Sequence, residues 1–486
     1  MTRLLLRGGE VITSNERYLA DVLIVDGTIE AIGRPGQWDI DDADETVDAD
    51  GCLLLPGGVD THTHLEYVVA SGKTRTADDF QSGTIAAACG GTTTIVDFVR
   101  PPQGVGVYDA FQQRRAAAAA SCVVDFGFHP IVPATAGDDD SFDQLVRLAR
   151  EEGATSWKFF MAYPGSMVDD DVLIRGFRLA RENGVLPMVH AENGHMVADA
   201  IASLIEDERF EEHNHLFGHP ASAEQEAVNR AIMLAEHAES PLFIVHVSAS
   251  DAAAEIARHQ ARGVEVMAET CPQYLVTGYE DYRDLGFGAA GYICSPPIRE
   301  RANQERLWHA VEQGTISTIG TDHAAFTLAQ PEGLPPQKAV GRGHFPSVPN
   351  GVPGVEERLM VMYETGVMSG RLSIHEFVDL TATRPAQLFG LAPRKGSIAP
   401  GADADIVVWD PNASRTLGVD TLHSRSDYSL YEGMTVSGSP RLVFSRGELI
   451  ARDGEPVEPR PGRGEYLPRQ RFGTEASGWR AAHAVG

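Results

Sequence analysis

Two histidines, His62 and His64, stand two positions apart at the end of the apolar run 53–59. The run predicts a buried strand, and alternate side chains of a strand point to the same face. Both imidazoles can therefore bind one metal ion at the mouth of a pocket. Taken alone, two histidines at this spacing are more often ordinary strand residues than metal ligands, so a metal site needs further ligands from elsewhere in the chain.

Such ligands stand where later apolar runs end. They are Lys158, His190, His246 and Asp322. Side chains that perform chemistry in parallel barrels lie at the carboxyl ends of the strands, so we expect these groups to meet the first two histidines on one rim. Four imidazoles and a carboxylate suit Zn²⁺, or Mn²⁺, Fe²⁺ or Co²⁺. Each histidine by itself is more simply explained as a core residue, but the whole set predicts a metal centre.

Lys158 is the unusual member of this set. It interrupts the apolar run Trp157–Met161, and a charged amine inside the mouth of a barrel is costly. One solution is an acidic partner. Another is carboxylation by carbon dioxide, which turns the amine into a carbamate whose two oxygens can each bind one metal ion. The sequence leaves both solutions open.

The elements that position these residues follow a repeated pattern of strand and helix. Apolar strands are predicted to end near His62, Asp97, His129, Lys158, His190, His246, Glu269 and Asp322. Helices are predicted between them, among others at 141–152, 172–183, 223–238 and 252–262. Eight strands that alternate with helices predict an α/β fold, a (β/α)8 TIM barrel, over residues 58–395.

The two ends of the chain have β character. Residues 1–57 contain short alternating runs with a hairpin signal at Asp26-Gly27, and residues 396–458 contain further strands. We expect the two ends to pair into one small β-sandwich domain beside the barrel. Residues 459–486 have little apolar content and are predicted to be either a disordered tail or an oligomerisation arm on a neighbouring subunit.

Composition excludes several kinds of partner. The formal net charge is -29, which argues against nucleic acid and anionic membranes because both attract basic surfaces. No stretch approaches the roughly 20 apolar residues of a membrane span, and the start lacks the apolar run of a signal peptide. Five scattered cysteines suggest free thiols in a reducing cytoplasm rather than a disulfide framework.

A family resemblance rests on motifs that occur in order along the chain. They are DTHTHLE at 60–66, SWKFFMAY at 156–163, VHAENG at 189–194, HVS at 246–248, ETCPQYL at 269–275, CSPPIR at 294–299, GTDHAAF at 320–326 and PNGVPGVEER at 349–358. With these motifs the chain resembles the cyclic amidohydrolases, and within them the dihydropyrimidinases and bacterial D-hydantoinases. The match runs from about residue 50 to residue 450 and is highly specific.

The resemblance implies a set of site residues. One metal ion, expected to be Zn²⁺, would be held by His62, His64 and Asp322, and a second by His190 and His246, with carboxylated Lys158 bridging the two. The residues implied in substrate binding are Tyr163, whose hydroxyl would point at the substrate carbonyl, Ser295 and Asn350, which would hold the imide through backbone groups, and Leu65 and Phe160. The family also suggests a homotetramer.

The implied reaction is hydrolytic ring opening of cyclic amides and imides. The substrates would be small molecules, namely 5,6-dihydropyrimidines and 5-substituted hydantoins, and the products N-carbamoyl amino acids. A hydroxide shared by the two metals would attack the ring carbonyl. Tyr163 and one metal would stabilise the oxyanion, and Asp322 would carry the proton to the departing nitrogen.

Three alternatives stay open, with different weight. A dihydroorotase has an arginine where this chain has Glu66, which would repel the substrate carboxylate. An allantoinase fits less well because Tyr163 stands in the hydantoinase pattern FMAY. A metal-free scaffold protein of the same fold would have lost histidines, yet every ligand position is filled. The segment Tyr67–Gly72 and Met167 depart from the resembled pattern, so the preferred ring substituent is left open.

Overall fold

The structure is a computed structural model that describes residues 2–39, 43–69, 74–137, 140–330 and 335–474. The chain begins with five strands, β1 (Arg3–Ile12), β2 (Arg17–Val25), β3 (Thr28–Gly33), β4 (Glu45–Asp48) and β5 (Leu53–Pro56). The predicted turn lies between β2 and β3, where Asp26 and Gly27 have φ values of 47° and 83°. Two successive left-handed residues make the tight turn that joins twisted antiparallel strands, which explains the Asp-Gly pair.

All eight central strands that the sequence predicts are present. They are β6 (Gly58–Thr63), β7 (Thr92–Val99), β8 (Asp125–Pro130), β9 (Ser156–Phe160), β10 (Leu186–His190), β11 (Leu242–Ile244), β12 (Val266–Thr270) and β13 (Thr318–Ile319). Every residue of these strands is buried, because helices cover one face and side chains fill the other. Their continuous apolar runs are typical of parallel strands buried on both faces.

The central strands pair in parallel in two groups. One sheet has the order β6-β7-β8 and the other β13-β12-β11-β10-β9. Single parallel bridges join the groups at both edges, between Ile131 and Lys158 and between Thr63 and His323. At the second bridge the amide of His64 donates to the carbonyl of His323 over 2.8 Å. The strand ends that carry the predicted ligands therefore lie side by side.

Helices occupy the connections between the strands. They are α1 (Phe80–Cys89), α2 (Val107–Ser121), α3 (Ser141–Glu151), α4 (Asp170–Asn183), α5 (Gly194–Glu206), α6 (His215–Gly218), α7 (Ala221–His237), α8 (Ser250–Gln260), α9 (Pro272–Val276), α10 (Tyr279–Tyr282), α11 (Arg301–Glu312), α12 (Arg358–Met362), α13 (Ile374–Val378) and α14 (Arg384–Leu388). The four predicted helices agree with α3, α4, α7 and α8 to within about two residues, the usual scatter of helix ends. Gly184, with a φ of 65°, ends α4 in the left-handed conformation.

The strands of the two chain ends form one sheet. After α14 come β14 (Ile406–Thr416), β15 (Thr435–Ser445), β16 (Glu448–Arg452) and β17 (Glu455–Pro456). The nine-stranded sheet has the order β17-β16-β15-β14-β5-β1-β2-β3, with β4 beside β1. The antiparallel pair β5–β14 joins the first part of the chain to the last. Apolar side chains of both parts, such as Leu6, Leu54, Ile406 and Phe444, share one buried cluster.

A buried lysine connects this sheet to the central strands. The ammonium of Lys395 lies 2.6 Å from Asp125 in β8 and 2.8 Å from both Asp403 and Asp405. These carboxylates raise the pKa of Lys395 even though burial acts in the opposite direction. Because burying a charge without partners is costly, the three carboxylates are what permit a lysine at this junction.

Residues 459–474 of the predicted tail pack against their own chain, which disagrees with a disordered tail and leaves the oligomerisation arm a prediction. The backbone of Tyr466 forms a parallel bridge with Phe126, and the buried Arg469 donates to a backbone carbonyl of the same strand. Backbone hydrogen bonds and an arginine hold the segment, which explains why its low apolar content was misleading. Residues 475–486 lie outside the described residues, and the arm stays a prediction for them.

All five cysteines are buried and none forms a disulfide, as the sequence predicts. Within the described ranges, no helix combines the length and the apolar character that crossing a bilayer requires.

Candidate active site

The ends of the central strands bring six predicted ligands to one cavity of about 710 Å³. They are His62 in β6, His64 directly after β6, Lys158 in β9, His190 at the end of β10, His246 beyond β11 and Asp322 beyond β13. These residues are far apart in sequence and meet only because the parallel strands end on the same side.

One group of ligand atoms is centred on Asp322. Its Oδ1 lies 3.1 Å from Nε2 of His62 and 3.0 Å from Nε2 of His64. Donor atoms of the three residues all lie within 4.8 Å of one another. Burial alone would raise the pKa of Asp322, but the two imidazoles hold it well below its usual range. An ionised carboxylate between two imidazole nitrogens is a donor set that fits a divalent cation.

Glu269 fixes the orientation of the first histidine. Nδ1 of His62 donates to Oε1 of Glu269 over 2.6 Å, and the backbone N–H of His246 donates to the same oxygen over 3.1 Å. Burial disfavours a charged His62, yet Glu269 and Asp322 raise its pKa to about 9. The two carboxylates therefore favour positive charge at the position of His62. Because Nδ1 of His62 is hydrogen-bonded to Glu269, Nε2 is the nitrogen left to bind a metal ion.

The second group consists of His190 and His246. Nδ1 of His190 lies 2.9 Å from Nε2 of His246. On its other side His190 donates from Nε2 to Glu192 over 2.8 Å, and His219 donates to the second oxygen of Glu192 over 2.9 Å. Because His190 carries its proton on Nε2, where it donates to Glu192, Nδ1 of His190 presents its lone pair to the cavity. Two imidazole nitrogens that face each other in this way fit a shared cation.

Lys158 lies between the two groups without a counter-ion. Among the described residues, no carboxylate lies within 4.0 Å of its amine, which instead lies 5.0 Å from the ring centre of Phe98 and 5.3 Å from that of Phe160. Burial lowers the pKa of Lys158 to about 7, although Asp322 and Glu269 act in the opposite direction. Of the two solutions that the sequence leaves open, an acidic partner is therefore not found in the described part of the chain.

Three residues of the cavity have left-handed backbone conformations, which residues other than glycine rarely adopt. Tyr163, His246 and Asp322 have φ values of 72°, 41° and 52°. Each such residue costs of order 1–3 kcal/mol, and the cost is found mainly at functional sites. The surrounding structure therefore holds these three side chains in the cavity at the expense of stability.

Four of the five residues implied in substrate binding line the cavity. They are Phe160, Tyr163, Ser295 and Asn350. The Tyr163 hydroxyl lies beside the side chains of Ser295 and Asn350, and the Asn350 amide donates to Ser295 over 2.9 Å. Burial raises the pKa of Tyr163 well above its usual range. Its hydroxyl therefore stays protonated and can donate a hydrogen bond to a carbonyl oxygen.

The prediction for Leu65 is not supported by the structure. Leu65 is 1% exposed and belongs to the main apolar core. Its side chain packs against Gly83 in α1, where a Cβ atom would collide with it. Consistent with this packing, His64 lines the cavity and Leu65 does not.

Comparison with known proteins agrees with this geometry. Residues 53–450 match the model of the Amidohydrolase family. The chain belongs to the amidohydrolase family. This amidohydrolase is 42% identical over 474 residues to a D-hydantoinase of Geobacillus stearothermophilus, covering 97% of this chain and 98% of the relative. It is 41% identical over 474 residues to a D-hydantoinase of Streptomyces coelicolor, covering 96% and 98%. The crystal structure of a dihydropyrimidinase from Brevibacillus agri superposes with a TM-score of 0.92 at 41% identity, covering 97% and 99%.

The amidohydrolase also contains a buried lysine that the sequence did not single out. The amine of Lys338 donates to the carbonyl of Ile293 over 3.0 Å and to that of Pro349 over 3.3 Å. These carbonyls lie two residues before Ser295 and one residue before Asn350. Lys338 is fully buried, and burial lowers its pKa to about 7. It joins the two loops that carry the partners of the Tyr163 hydroxyl.

Proposed function

We propose that this amidohydrolase opens the rings of cyclic amides by hydrolysis, converting 5-substituted hydantoins and 5,6-dihydropyrimidines to N-carbamoyl amino acids. The observation that carries the proposal is the convergence of the six ligands and Tyr163 in one cavity. Similarity over nearly the whole chain to proteins named D-hydantoinase and dihydropyrimidinase supports it.

For the architecture, we infer that the eight central strands close into a (β/α)8 barrel over residues 58–395. The parallel bridges at both edges of the two sheets support closure. We also infer that residues 1–57 and 396–458 form a separate β-sandwich domain, supported by their shared sheet and apolar cluster. The homotetramer and the cytoplasmic location stay predictions.

The donor set suggests how two divalent ions would be held. His62, His64 and Asp322 would bind one ion and His190 and His246 the other, with Lys158 as a carbamate between them. A set rich in imidazole favours Zn²⁺. When bound, the ions supply Lewis acidity, which lowers the pKa of water and polarises the ring carbonyl.

The remaining steps belong to side chains of the chain itself. Asp322 takes the proton of the attacking water at its carboxylate and delivers it to the departing ring nitrogen. The Tyr163 hydroxyl donates to the carbonyl oxygen as negative charge develops there. Ser295 and Asn350 orient that hydroxyl through their side chains and hold the imide through backbone groups.

A side-by-side assay tests the proposal. Metal-loaded protein is given dihydrouracil, hydantoin, 5-phenylhydantoin, allantoin and succinimide, and ring opening is measured for each. We expect turnover of the hydantoins and of dihydrouracil, with allantoin much slower. Turnover of allantoin alone would favour an allantoinase. No turnover, together with no bound metal where about two ions per chain are expected, would favour a scaffold protein and refute the proposal.

The proposed reaction allows a test of Lys338. Replacing it by methionine removes both hydrogen bonds, so the loops that carry Ser295 and Asn350 are no longer tied together. We expect the KM for hydantoin to rise by about tenfold, the scale of one or two lost hydrogen bonds, with a smaller change in kcat. Steady-state kinetics measure both constants. Lys338→Gln keeps a donor and should recover part of the effect, and an equal loss in both variants and both constants would contradict a positioning role.

A further inference from the structure

An arginine that the proposed mechanism does not use lines the same cavity. Arg100 follows β7 directly. Its Nε donates to the Tyr67 hydroxyl over 2.6 Å and its Nη1 to the Ser166 hydroxyl over 3.0 Å. The guanidinium carbon lies 5.6 Å from the ring centre of Tyr67 and 5.5 Å from that of Phe160. Two hydroxyls and two aromatic rings therefore hold the guanidinium in one place.

The positive charge of Arg100 has no anionic partner in the described part of the chain, where no carboxylate lies within 4.0 Å of it. A guanidinium carries five N–H groups, and only those on Nε and Nη1 have protein acceptors among the described residues. Besides the histidines, the other acidic and basic side chains that line the cavity, within the same ranges, are Lys158 and Asp322, both assigned to the metal ligands. Arg100 therefore offers unpaired donors to whatever enters the cavity.

Two aromatic side chains, Phe160 and Tyr67, each lie between Arg100 and one of the predicted metal ligands. The ring of Phe160, which contacts the guanidinium, has its centre 5.3 Å from the amine of Lys158. The ring of Tyr67, which also contacts it, lies 4.8 Å from the ring of His64. A substituent on a small ring bound at the ligands can therefore extend past either aromatic side chain to reach the guanidinium.

The surroundings make this charge suitable for a carboxylate. The guanidinium is half-buried between the rings of Tyr67 and Phe160, and a charge-assisted hydrogen bond is stronger in such a place than in open water. A guanidinium and a carboxylate form two parallel hydrogen bonds. Because Tyr67 and Ser166 already fix the guanidinium, binding would cost little further side-chain entropy.

From these contacts we infer that Arg100 selects ring substituents that end in a carboxylate. The preferred substrates are hydantoins with acidic side chains, such as 5-(carboxymethyl)hydantoin and 5-(2-carboxyethyl)hydantoin. The inference rests on the proposed ring-opening function and names its substrate class. It is local to the cavity, since the overall charge of -29 gives the surface no general attraction for anions.

Two substrates of nearly equal size test the inference. The value of kcat/KM is measured for 5-(2-carboxyethyl)hydantoin and for the corresponding amide, 5-(2-carbamoylethyl)hydantoin. We expect the native protein to favour the carboxylate by at least about tenfold. Arg100→Gln should lower the ratio of the two values by about 10- to 100-fold, mainly through KM, as expected when one partner of a desolvated charge pair is removed. Arg100→Lys should keep part of the preference.

Ser166→Ala provides the matched control, because it removes one hydrogen bond to the guanidinium and leaves the charge. We expect it to preserve most of the ratio. If Arg100 only stabilises the loops that it joins, Arg100→Gln will lower kcat/KM equally for the carboxylate and the amide substrate. The ratio of the two values will then stay unchanged, which overturns the inference. If Arg100→Gln does not fold, the native protein still decides, because a ratio of about one or below overturns it as well.

Failure of the inference can be told apart from failure of the proposed function. If the native protein opens hydantoin and the amide substrate without favouring the carboxylate, the ring chemistry stands and the role of Arg100 is wrong. If metal-loaded protein opens none of the hydantoins, the proposed function fails and the inference fails with it.

Discussion

Asp322→Asn is expected to lower kcat for ring opening by about 10³-fold, within the range of a lost general acid–base group. The amide cannot take the proton of the attacking water and so cannot pass it to the ring nitrogen. An amide oxygen can still face the nitrogens of His62 and His64, which lie 3.1 Å and 3.0 Å from Oδ1 in the native protein. We therefore expect much of the metal to stay bound.

The decisive measurement for this variant compares kcat with metal content on the same sample. Asp284→Asn is a suitable control because the Asp284 side chain is 86% exposed. It should leave both quantities unchanged. Retention of native kcat by Asp322→Asn would refute the assignment of Asp322 as the proton carrier. Loss of all metal would show instead that its main contribution is as a ligand.

Lys158→Met is expected to lower kcat by about 10³-fold or more, on the scale of losing a metal-activated nucleophile, and to remove metal from the protein. Without the amine no carbamate can form, and neither group of imidazoles has a bridging ligand. The same variant should raise the stability of the metal-free protein by about 1 kcal/mol, because an amine that is buried without a counter-ion is replaced by an apolar side chain of similar length. Elemental analysis and thermal unfolding with chelator present measure the two effects.

Lys395→Met is the matched control, since Lys395 is equally buried but paired with three carboxylates. Removing it leaves those carboxylates buried without a cation and should destabilise the protein by about 3–5 kcal/mol. In the same unfolding experiment, Lys158→Met is thus expected to raise the free energy of unfolding and Lys395→Met to lower it. A Lys158→Met protein that keeps two metal ions, or that loses stability as Lys395→Met does, would contradict the bridging role.

The convergence of the six predicted ligands could be expected from the sequence because five of them stand at or near the end of an apolar run and Lys158 interrupts one. That pattern is local, and the regular geometry of parallel strands converts it into a shared location. His246 and Asp322 show this well, since both lie just beyond strands of only two or three residues and yet reach the cavity. Tyr163, Ser295 and Asn350 carry no such local signal and were found only through the family motifs.

The residues that hold the ligands in place could not be predicted in the same way. Glu269 was recognised only as a strand end, although it contacts His62, 207 positions away. Lys338 and Arg100 likewise contact residues of other loops, and Glu192, two positions from His190, also contacts His219, 27 positions away. Their partners become visible only when the loops are folded, because neither spacing nor periodicity links one loop to another. The core position of the Leu65 side chain could not be foreseen for a related reason, since the motif does not state on which side of the chain each residue lies.

The pairing of β5 with β14 has a consequence for how the protein is made. Leu54 in the first part of the chain lies opposite Val408 in the last part. During synthesis, β5 therefore has no partner on that edge until β14, which begins at Ile406, has left the ribosome. The segment around Tyr466, which covers the start of β8, emerges later still. Contacts between such distant parts of a chain form slowly, so nascent chains stalled before residue 406 would expose apolar edges to chaperones and proteases.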